Sequence, residues 1–394
     1  MTVICSCCNK RCCIANNNVG SCGVRYNKDG KLYLSIYGYP CAVHIDPVEK
    51  KPLYHFLPNT AILSIGTIGC NFKCQFCQNW DISQAVKPYK ATFREKSKTE
   101  ACDIEDLSCQ LQKMGKYYSP ETLVNMAIRK GCKSIAFTYN EPTIWGEYAH
   151  DISKLAHEKG LKCVYVTNGY MTEEHLQYIQ PYVDALNIDL KAWNGKFYRQ
   201  LCGGNVDFVK HSIEYAVQLG FWVEVTTLII PDENDSDEEL TKIAQFLYDI
   251  KPTIPWHISA FHPDYEMTNK SRTPESTLKR AYAIGRKVGL KNIYVGNVHS
   301  NGDEDTYCSE CGEKLIQRDW YDVHVLNKPV FDGVCYKCGA KQDGIWEESP
   351  VCKKHSRIQD VRESRSAVPT WLSRCGPSPT ARTRRPCRSD REAE

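Results

Sequence analysis

Between about residues 55 and 300, short apolar segments typical of strands alternate with longer amphipathic segments typical of helices. Short, almost continuously apolar runs are typical of strands buried on both faces. They are AILSIG (61–66), SIAFTYN (134–140), CVYVTNG (163–169), ALNIDLK (185–191), VEVTTLIIP (223–231), WHISAF (256–261) and IYVGNV (293–298). Strands and helices that alternate at this spacing predict parallel crossovers. We therefore expect an α/β fold with a partial, TIM-like (β/α)6-type barrel, and a doubly wound open sheet is the alternative.

Helix-boundary residues support this alternation. Ser119 before Pro120 and Thr273 before Pro274 each predict a helix start, and Ser236 with Glu239 fits a capping box. Four glycines stand where helices are expected to end, namely Gly131, Gly160, Gly220 and Gly289.

Changes in composition predict the domain organisation. The Asp46–Pro52 stretch breaks regular structure and leads into the main domain. We expect a Cys-rich lobe (1–54), the core barrel (55–300) with an inserted, mobile surface loop without catalytic role (85–118), a zinc-ribbon-like module (301–348), and a disordered, solvated Arg/Ser/Pro-rich tail (349–394).

Overall composition narrows the function classes. The chain has 394 residues, 42% hydrophobic and 25% charged, with a net charge of +3, so no strong field points to nucleic acid. No apolar run is long enough to span a bilayer, and the N-terminus lacks the apolar segment of a secretory signal. We expect a cytoplasmic protein without a membrane partner.

Cysteine is over-represented, at 22 residues, which in a chain without a signal peptide favours metal or cluster ligation. Cys70, Cys74 and Cys77 form a C-x3-C-x2-C array directly after the first apolar run. Three close thiolates without a local fourth fit an iron–sulfur cluster with one iron left open. Structural zinc, which prefers a fourth ligand, and three merely buried cysteines are the alternatives.

Two further cysteine groups flank the barrel. Cys308, Cys311, Cys335 and Cys338 form two C-x2-C pairs, which predict a zinc ribbon, with an iron site or free thiols as alternatives. Near the N-terminus, the spacing of Cys5, Cys8, Cys12 and Cys22 allows zinc, an auxiliary cluster, or no metal at all.

Polar residues follow the predicted strands, and in a parallel barrel these carboxyl ends carry the chemistry. Asn140 and Glu141 can accept hydrogen bonds from an ammonium group, and Lys191 can pair with a carboxylate. Thr167 and Asn168, followed by Gly169, suit ribose hydroxyls. Together these groups suit an amino acid joined to a nucleoside.

The cysteine array, with Phe76 just before its last member, resembles the signature of the radical S-adenosylmethionine (SAM) superfamily. Over residues 1 to about 346, the segments CGVR, DPVEKKPLYHF, GCNFKCQFCQNW, YNEPTIW, VTNGY, NIDLKAW, LIIP, HISAFHP and YVGNV resemble the radical SAM member of the AmmeMemoRadiSam group. That group is related to activating enzymes of glycyl-radical proteins such as pyruvate formate-lyase.

The resemblance implies a radical SAM barrel that holds a [4Fe-4S] cluster on Cys70, Cys74 and Cys77, with SAM chelated at the open iron. The reduced cluster would cleave SAM to methionine and a 5′-deoxyadenosyl radical, which abstracts hydrogen from an unidentified small molecule or protein. An alternative is installation of a glycyl radical on a partner protein. An electron donor such as flavodoxin or ferredoxin is implied.

The resemblance also implies residue roles. Asn140 and Glu141 stand in the position of the family's amino-binding Gly-Gly-Glu motif, with Tyr139 and Asn140 in place of the glycines. Thr167, Asn168 and Asp189 match strand motifs, and Thr167 and Asp189 would lie near a monovalent cation. By the same matching, Phe76 and Lys191 would lie near SAM, and His262 near its adenosine.

A different class remains open, a non-catalytic adaptor that binds several zinc ions through the three cysteine groups. Such an adaptor would have no use for Glu141, Lys191 and His262 at strand ends.

Overall fold

The computed structural model describes residues 1–347 except 98, 100, 101, 299–301 and 329, so the predicted tail (349–394) lies outside the described residues. Its centre is an eight-stranded sheet. Seven strands run parallel, at Ala61–Gly66, Ser134–Phe137, Lys162–Thr167, Ala185–Asp189, Trp222–Ile229, Trp256–Ala260 and Ile293–Gly296. These match the seven predicted apolar runs.

The parallel strands lie side by side in the order in which they occur along the chain. A doubly wound sheet would reverse its strand order at a switch point, and this sheet does not. The predicted partial barrel is therefore confirmed, and the carboxyl ends of all seven strands meet at one end of it.

The eighth strand, Ala42–Pro47, pairs antiparallel with Ala61–Gly66, from Ala42 opposite Gly66 to Pro47 opposite Ala61. A short 3-10 turn, Val48–Lys50, follows it. The prediction that Asp46–Pro52 contains no regular structure is therefore wrong for its first half. A proline is tolerated in a strand at the sheet edge, and Pro47 is the last residue of this one.

Helices cover the barrel between the strands. The serine caps form as predicted: Ser119 accepts a hydrogen bond from the Thr122 N–H at 3.2 Å, and Ser236 accepts one from the Glu239 N–H at 3.2 Å. Glu239 does not complete a capping box, because its carboxylate accepts from the N–H groups of Trp193 and Asn194 at 2.6 and 2.8 Å. The α-helices are Trp80–Ser83, Val86–Lys96, Ile104–Gln112, Pro120–Arg129, Gly146–Glu158, Glu173–Ile179, Gly195–Phe197, Val206–Gln218, Asp237–Ile250 and Glu275–Val288, with a 3-10 turn at Pro142–Trp145 and a π-turn at Tyr198–Cys202.

The segment 85–118 is not the predicted loop, because it contains the helices Val86–Lys96 and Ile104–Gln112. Their apolar faces, which include Phe93 and Leu107, are buried in the main hydrophobic core. The apolar positions 104, 107 and 111 have helical spacing, but the many charged residues between them conceal the pattern.

Small sheets precede and follow the barrel along the chain. On the N-terminal side, Val3–Ile4 pairs with Cys13–Ile14, and a second sheet joins Asn18–Val19, Arg25–Lys28 and Lys31–Leu34. On the C-terminal side, Thr306–Tyr307, Lys314–Asp319 and Asp322–Val325 form a third.

Both flanking modules contact the barrel directly. Arg25 makes a two-pronged ion pair with Glu147, and the Ile345 N–H donates to the His55 carbonyl at 2.8 Å. Within the part of the chain that the structure describes, no helix combines the length and apolar character needed to cross a membrane.

Candidate functional site

A cavity of about 410 Å³ opens at the carboxyl ends of the parallel strands. The thiols of Cys70, Cys74 and Cys77 lie on its wall. Most of the other predicted site residues line it as well, namely Phe76, Asn140, Glu141, Thr167, Asn168, Asp189 and Lys191. His262 is exposed and does not line the cavity; its Nδ1 lies 3.1 Å from Nε2 of Gln78, at the rim.

The loop that carries the three cysteines is fixed on both sides of Cys74. The Lys73 N–H donates to the Cys202 carbonyl at 2.9 Å, and the Gln75 N–H donates to the Leu201 carbonyl at 3.0 Å. Both acceptors belong to the π-turn Tyr198–Cys202, an element often found at functional sites. The Cys202 thiol also lies close enough to that of Cys74 to lower the pKa of the Cys74 thiol, a proximity that the sequence spacing does not indicate.

Gly69 lets the loop approach the N-terminal lobe. Its φ is +89°, and a Cβ atom there would come within 3.1 Å of the Cys22 carbonyl oxygen. Any larger residue would be strained in conformation and would also crowd this backbone.

Asn140 holds the start of the same loop. Its Oδ1 accepts from the Thr67 N–H at 3.1 Å, and its Nδ2 donates to the Gly69 carbonyl at 2.8 Å. Because both ends of this amide are used within the protein, Asn140 positions the loop.

Glu141 is 1% exposed, and its carboxylate is surrounded by donors. Oε1 accepts from the Thr143 N–H at 3.0 Å and from the Thr167 hydroxyl at 2.7 Å, and Oε2 accepts from the Asn168 N–H at 2.8 Å. Burial raises the pKa of Glu141, and these hydrogen bonds oppose the rise. The carboxylate thus joins the ends of two neighbouring strands.

Asn168 connects this network to the cysteines. Its Nδ2 donates to Oδ1 of Asn71 at 2.7 Å and lies 3.8 Å from Sγ of Cys70. Asn71 is 5% exposed, and its Nδ2 has no hydrogen-bond partner within the described residues. Asn71 was not predicted as a site residue, and its only signal in the sequence is its place beside Cys70.

Asp189 and Lys191 form an ion pair of 2.7 Å on the cavity wall. Burial opposes the charge of Lys191, but the Asp189 carboxylate and the thiols of Cys74 and Cys202 together outweigh it and keep the lysine pKa well above its usual value. The ammonium lies 5.9 Å from the centre of the Phe76 ring. The site therefore offers an anion and a cation side by side, as a zwitterionic ligand requires.

Polar residues on the inner face of the barrel were not predicted as site residues either. Asn187, Thr226 and Ser259 lie within predicted strands and line the cavity. The polar position inside each apolar run was the available signal. Lys51, which the structure pairs with Asp46 at 2.7 Å beside Tyr139, had no comparable signal.

The three thiols fit an iron–sulfur cluster, since they share one wall of a cavity that has room for a second ligand. The C-terminal thiols have a different geometry. Among the described residues, only the ligand atoms of Cys308, Cys311, Cys335 and Cys338 all lie within 4.8 Å of one another in a group of three or more.

Two distances within this C-terminal group are 3.6 Å, between the Sγ atoms of Cys308 and Cys338, and 3.8 Å, between those of Cys311 and Cys335. A tetrahedral zinc with Zn–S bonds of about 2.3 Å separates its sulfurs by about 3.8 Å, so these four thiols fit one zinc ion. The N-terminal Cys5, Cys8, Cys12 and Cys22 are brought together around a second, small cavity, which Cys7 also lines.

Comparison with known proteins agrees with this geometry. Residues 64–247 match the model of the radical SAM superfamily. The chain is 40% identical over 342 residues to an uncharacterised protein of Methanocaldococcus jannaschii, covering 86% of this chain and 95% of the relative. It is 27% identical to a second protein of that organism, named as a glycyl-radical enzyme activating enzyme, over 59% of this chain and 79% of the relative.

Among solved structures, a radical SAM methyltransferase from Sphaerobacter thermophilus is similar, with a TM-score of 0.44 and 17% identity over 66% of this chain and 71% of that one. The family match covers the end of the strand that leads into the cysteine loop, the loop itself, and the next four parallel strands with their polar ends. A non-catalytic zinc adaptor accounts for none of these features. This chain belongs to the radical SAM superfamily.

Proposed function

We propose that Cys70, Cys74 and Cys77 hold the [4Fe-4S] cluster of this radical SAM enzyme, and that SAM lies across the strand ends beside them. When bound, the cluster and SAM supply one-electron reductive cleavage of the sulfonium, which gives methionine and a 5′-deoxyadenosyl radical for hydrogen abstraction. The observation that carries this assignment is the shared cavity: three thiols and the Asp189–Lys191 ion pair line one space of about 410 Å³.

The residues around this space have separate tasks in the proposal. Lys191 pairs with the SAM carboxylate, and Asp189, with Thr167, lies near a monovalent cation. Phe76, whose ring packs 5.7 Å from that of Phe197, covers the cluster side and excludes water. Asn168, through its contact with Cys70, holds that thiol in place.

Asn140 and Glu141 act by positioning in this proposal. Their polar atoms are bonded to the cysteine loop and to the neighbouring strand end. They therefore set where SAM can lie. The SAM amino group is bound by other polar groups on the cavity wall. His262, through Gln78, closes the rim on the adenosine side.

The finer classification is part of the proposal. The likeness to a protein named as a glycyl-radical enzyme activating enzyme supports a place near the pyruvate formate-lyase activating enzymes. The motifs in the N-terminal lobe and the barrel support the AmmeMemoRadiSam group. A one-electron donor protein of the flavodoxin or ferredoxin type would supply the electron. We further propose that Cys308, Cys311, Cys335 and Cys338 hold zinc.

Anaerobic reconstitution with iron and sulfide, followed by SAM and dithionite, tests the assignment. We expect a brown, oxygen-sensitive protein that releases 5′-deoxyadenosine. Cys74→Ala should release none, whereas Cys132→Ala, which changes another buried cysteine that does not line the cavity, should remain active. An inactive wild-type chain with a full cluster would contradict the proposal.

The hydrogen donor can be identified with the same assay. Candidate small molecules and proteins are deuterated and incubated with the active enzyme, and 5′-deoxyadenosine is examined for deuterium. Transfer of deuterium from a glycine of a partner protein would establish the glycyl-radical alternative. Transfer from a small molecule would instead identify that molecule as the hydrogen donor.

A further inference from the structure

We propose that the N-terminal lobe holds a second [4Fe-4S] cluster, ligated by Cys5, Cys8, Cys12 and Cys22. These four residues line a single small cavity of their own. Their spacing alone allows zinc, a cluster or neither. The structure supplies three observations that favour the cluster.

The first observation is the separation of the thiols. The zinc-compatible C-terminal group has all its sulfurs within 4.8 Å of one another, and no three N-terminal thiols among the described residues meet that limit. Cys70, Cys74 and Cys77 do not meet it either. In a polynuclear cluster each thiolate binds a different iron, so its sulfurs stand farther apart than those around one ion. The N-terminal thiols share this wider arrangement with the SAM-cluster cysteines.

The second observation is the surroundings of the sulfurs. The Ser21 N–H donates to Sγ of Cys12 at 3.3 Å. The ammonium of Lys90 donates to the carbonyls of Gly20 and Ser21, at 2.9 Å each, beside the same cavity. Hydrogen bonds to sulfur and nearby cations stabilise the negative charge of a thiolate-ligated cluster.

The third observation is Asn71. Its side chain lies within hydrogen-bonding reach of the Cys8 thiol, but within the described residues its buried Nδ2 has no partner of ordinary hydrogen-bond geometry. The other end of the amide is held by Asn168, which also contacts Cys70. A buried donor without a partner is costly, and a cluster sulfur in the N-terminal cavity would provide one. Asn71 would then lie between the two clusters.

Metal analysis of an anaerobically reconstituted variant tests the inference. In the Cys70→Ala/Cys74→Ala/Cys77→Ala variant we expect about four irons and about four sulfides per chain to remain, with a brown chromophore. Adding Cys12→Ala should abolish both. Adding Cys13→Ala should change neither, since Cys13 is the exposed neighbour of Cys12 and does not line the cavity.

A triple variant without iron and sulfide, or with a second zinc per chain, would overturn the inference, provided that its circular dichroism shows a folded protein. If the triple variant does not fold, the wild-type protein gives the answer, because two clusters require about eight irons per chain and one requires about four. A count of four would then overturn it. The inference is independent of SAM cleavage: an inactive wild-type chain with eight irons would contradict the proposed function alone.

Discussion

The carboxylate of Glu141 accepts a hydrogen bond of 2.8 Å from the backbone N–H of Asn168, and this bond ties together the ends of two adjacent parallel strands. Asn168 in turn contacts Cys70. A residue expected from its motif to bind a ligand thus sets the position of a cysteine in the cluster loop. Whether Glu141 binds SAM or positions the cysteine loop can be measured.

We expect Glu141→Gln to destabilise the protein and to slow SAM cleavage together. The glutamine amide can accept at only one end, so a buried donor loses its partner at a cost of about 1–3 kcal/mol. Chemical denaturation and 5′-deoxyadenosine release measure the two effects, and Glu158→Gln, at an exposed helix position, is the control. Unchanged stability with weaker SAM binding would instead show direct contact with SAM.

Lys191→Met should weaken SAM binding by about tenfold or more. A hydrogen-bonded charge contributes about 1.5–3 kcal/mol, and tenfold corresponds to about 1.4 kcal/mol. Equilibrium binding of SAM to the reconstituted protein provides the measurement. Lys162→Met is a matched control, because Lys162 also forms an ion pair of 2.7 Å, with Asp184, but lies outside the cavity. Equal affinity in both variants would contradict the proposed role.

Phe93→Ala should lower the free energy of unfolding by about 3–5 kcal/mol, the usual cost of removing a buried phenylalanine. Phe93 is 8% exposed and belongs to the main core, although it lies in the segment that composition alone marks as a loop. Thr92→Ala, on the exposed face of the same helix, should have little effect. Equal stability of the two variants would mean that this segment does not support the core.

The barrel was predictable because its strands are buried on both faces and therefore appear as apolar runs. The edge strand Ala42–Pro47 was not, since its burial is mixed and its last residue is proline. Likewise, the residues with distinctive chemistry could be assigned to the cavity. Their partners could not, because the bonds from Glu141 to Asn168 and from Lys73 to Cys202 join residues far apart in the chain.

Stability should fall on acidification from pH 7 to pH 5, in part because of His55. This side chain is 1% exposed, and its ring nitrogens contact the Asp343 carbonyl at 2.8 Å and the Tyr294 hydroxyl at 2.6 Å. Burial lowers the pKa of His55 from 6.5 to about 4. Between these values the unfolded chain binds the extra proton, so unfolding becomes easier by up to about 1.4 kcal/mol per pH unit.

Denaturation curves of the wild type and of His55→Gln, recorded at several pH values, measure this contribution. The variant should depend less steeply on pH over this range, although it is less stable at pH 7. Burial lowers the pKa of His175 to about 3. This histidine should therefore contribute equally to the pH dependence of stability in both proteins. Identical slopes would show that His55 is not neutral in the folded state.

Removal of zinc should disorder the C-terminal module and leave the barrel folded. We expect about one zinc per chain bound at Cys308, Cys311, Cys335 and Cys338, lost in Cys338→Ser and kept in Cys13→Ser. Hydrogen exchange should rise in residues 302–328 and 330–347 of the Cys338→Ser protein. Iron in place of zinc after expression in zinc-containing medium would contradict the assignment.

The two backbone bonds from the cysteine loop to the π-turn Tyr198–Cys202 have a consequence for biogenesis. Cys74 lies between their donors, Lys73 and Gln75, while both acceptors are made more than 120 residues later in synthesis. A ribosome-bound chain that ends before Leu201 has all three thiols but lacks the backbone that fixes their positions. We therefore expect iron and sulfide to be incorporated late, after the second half of the barrel has folded.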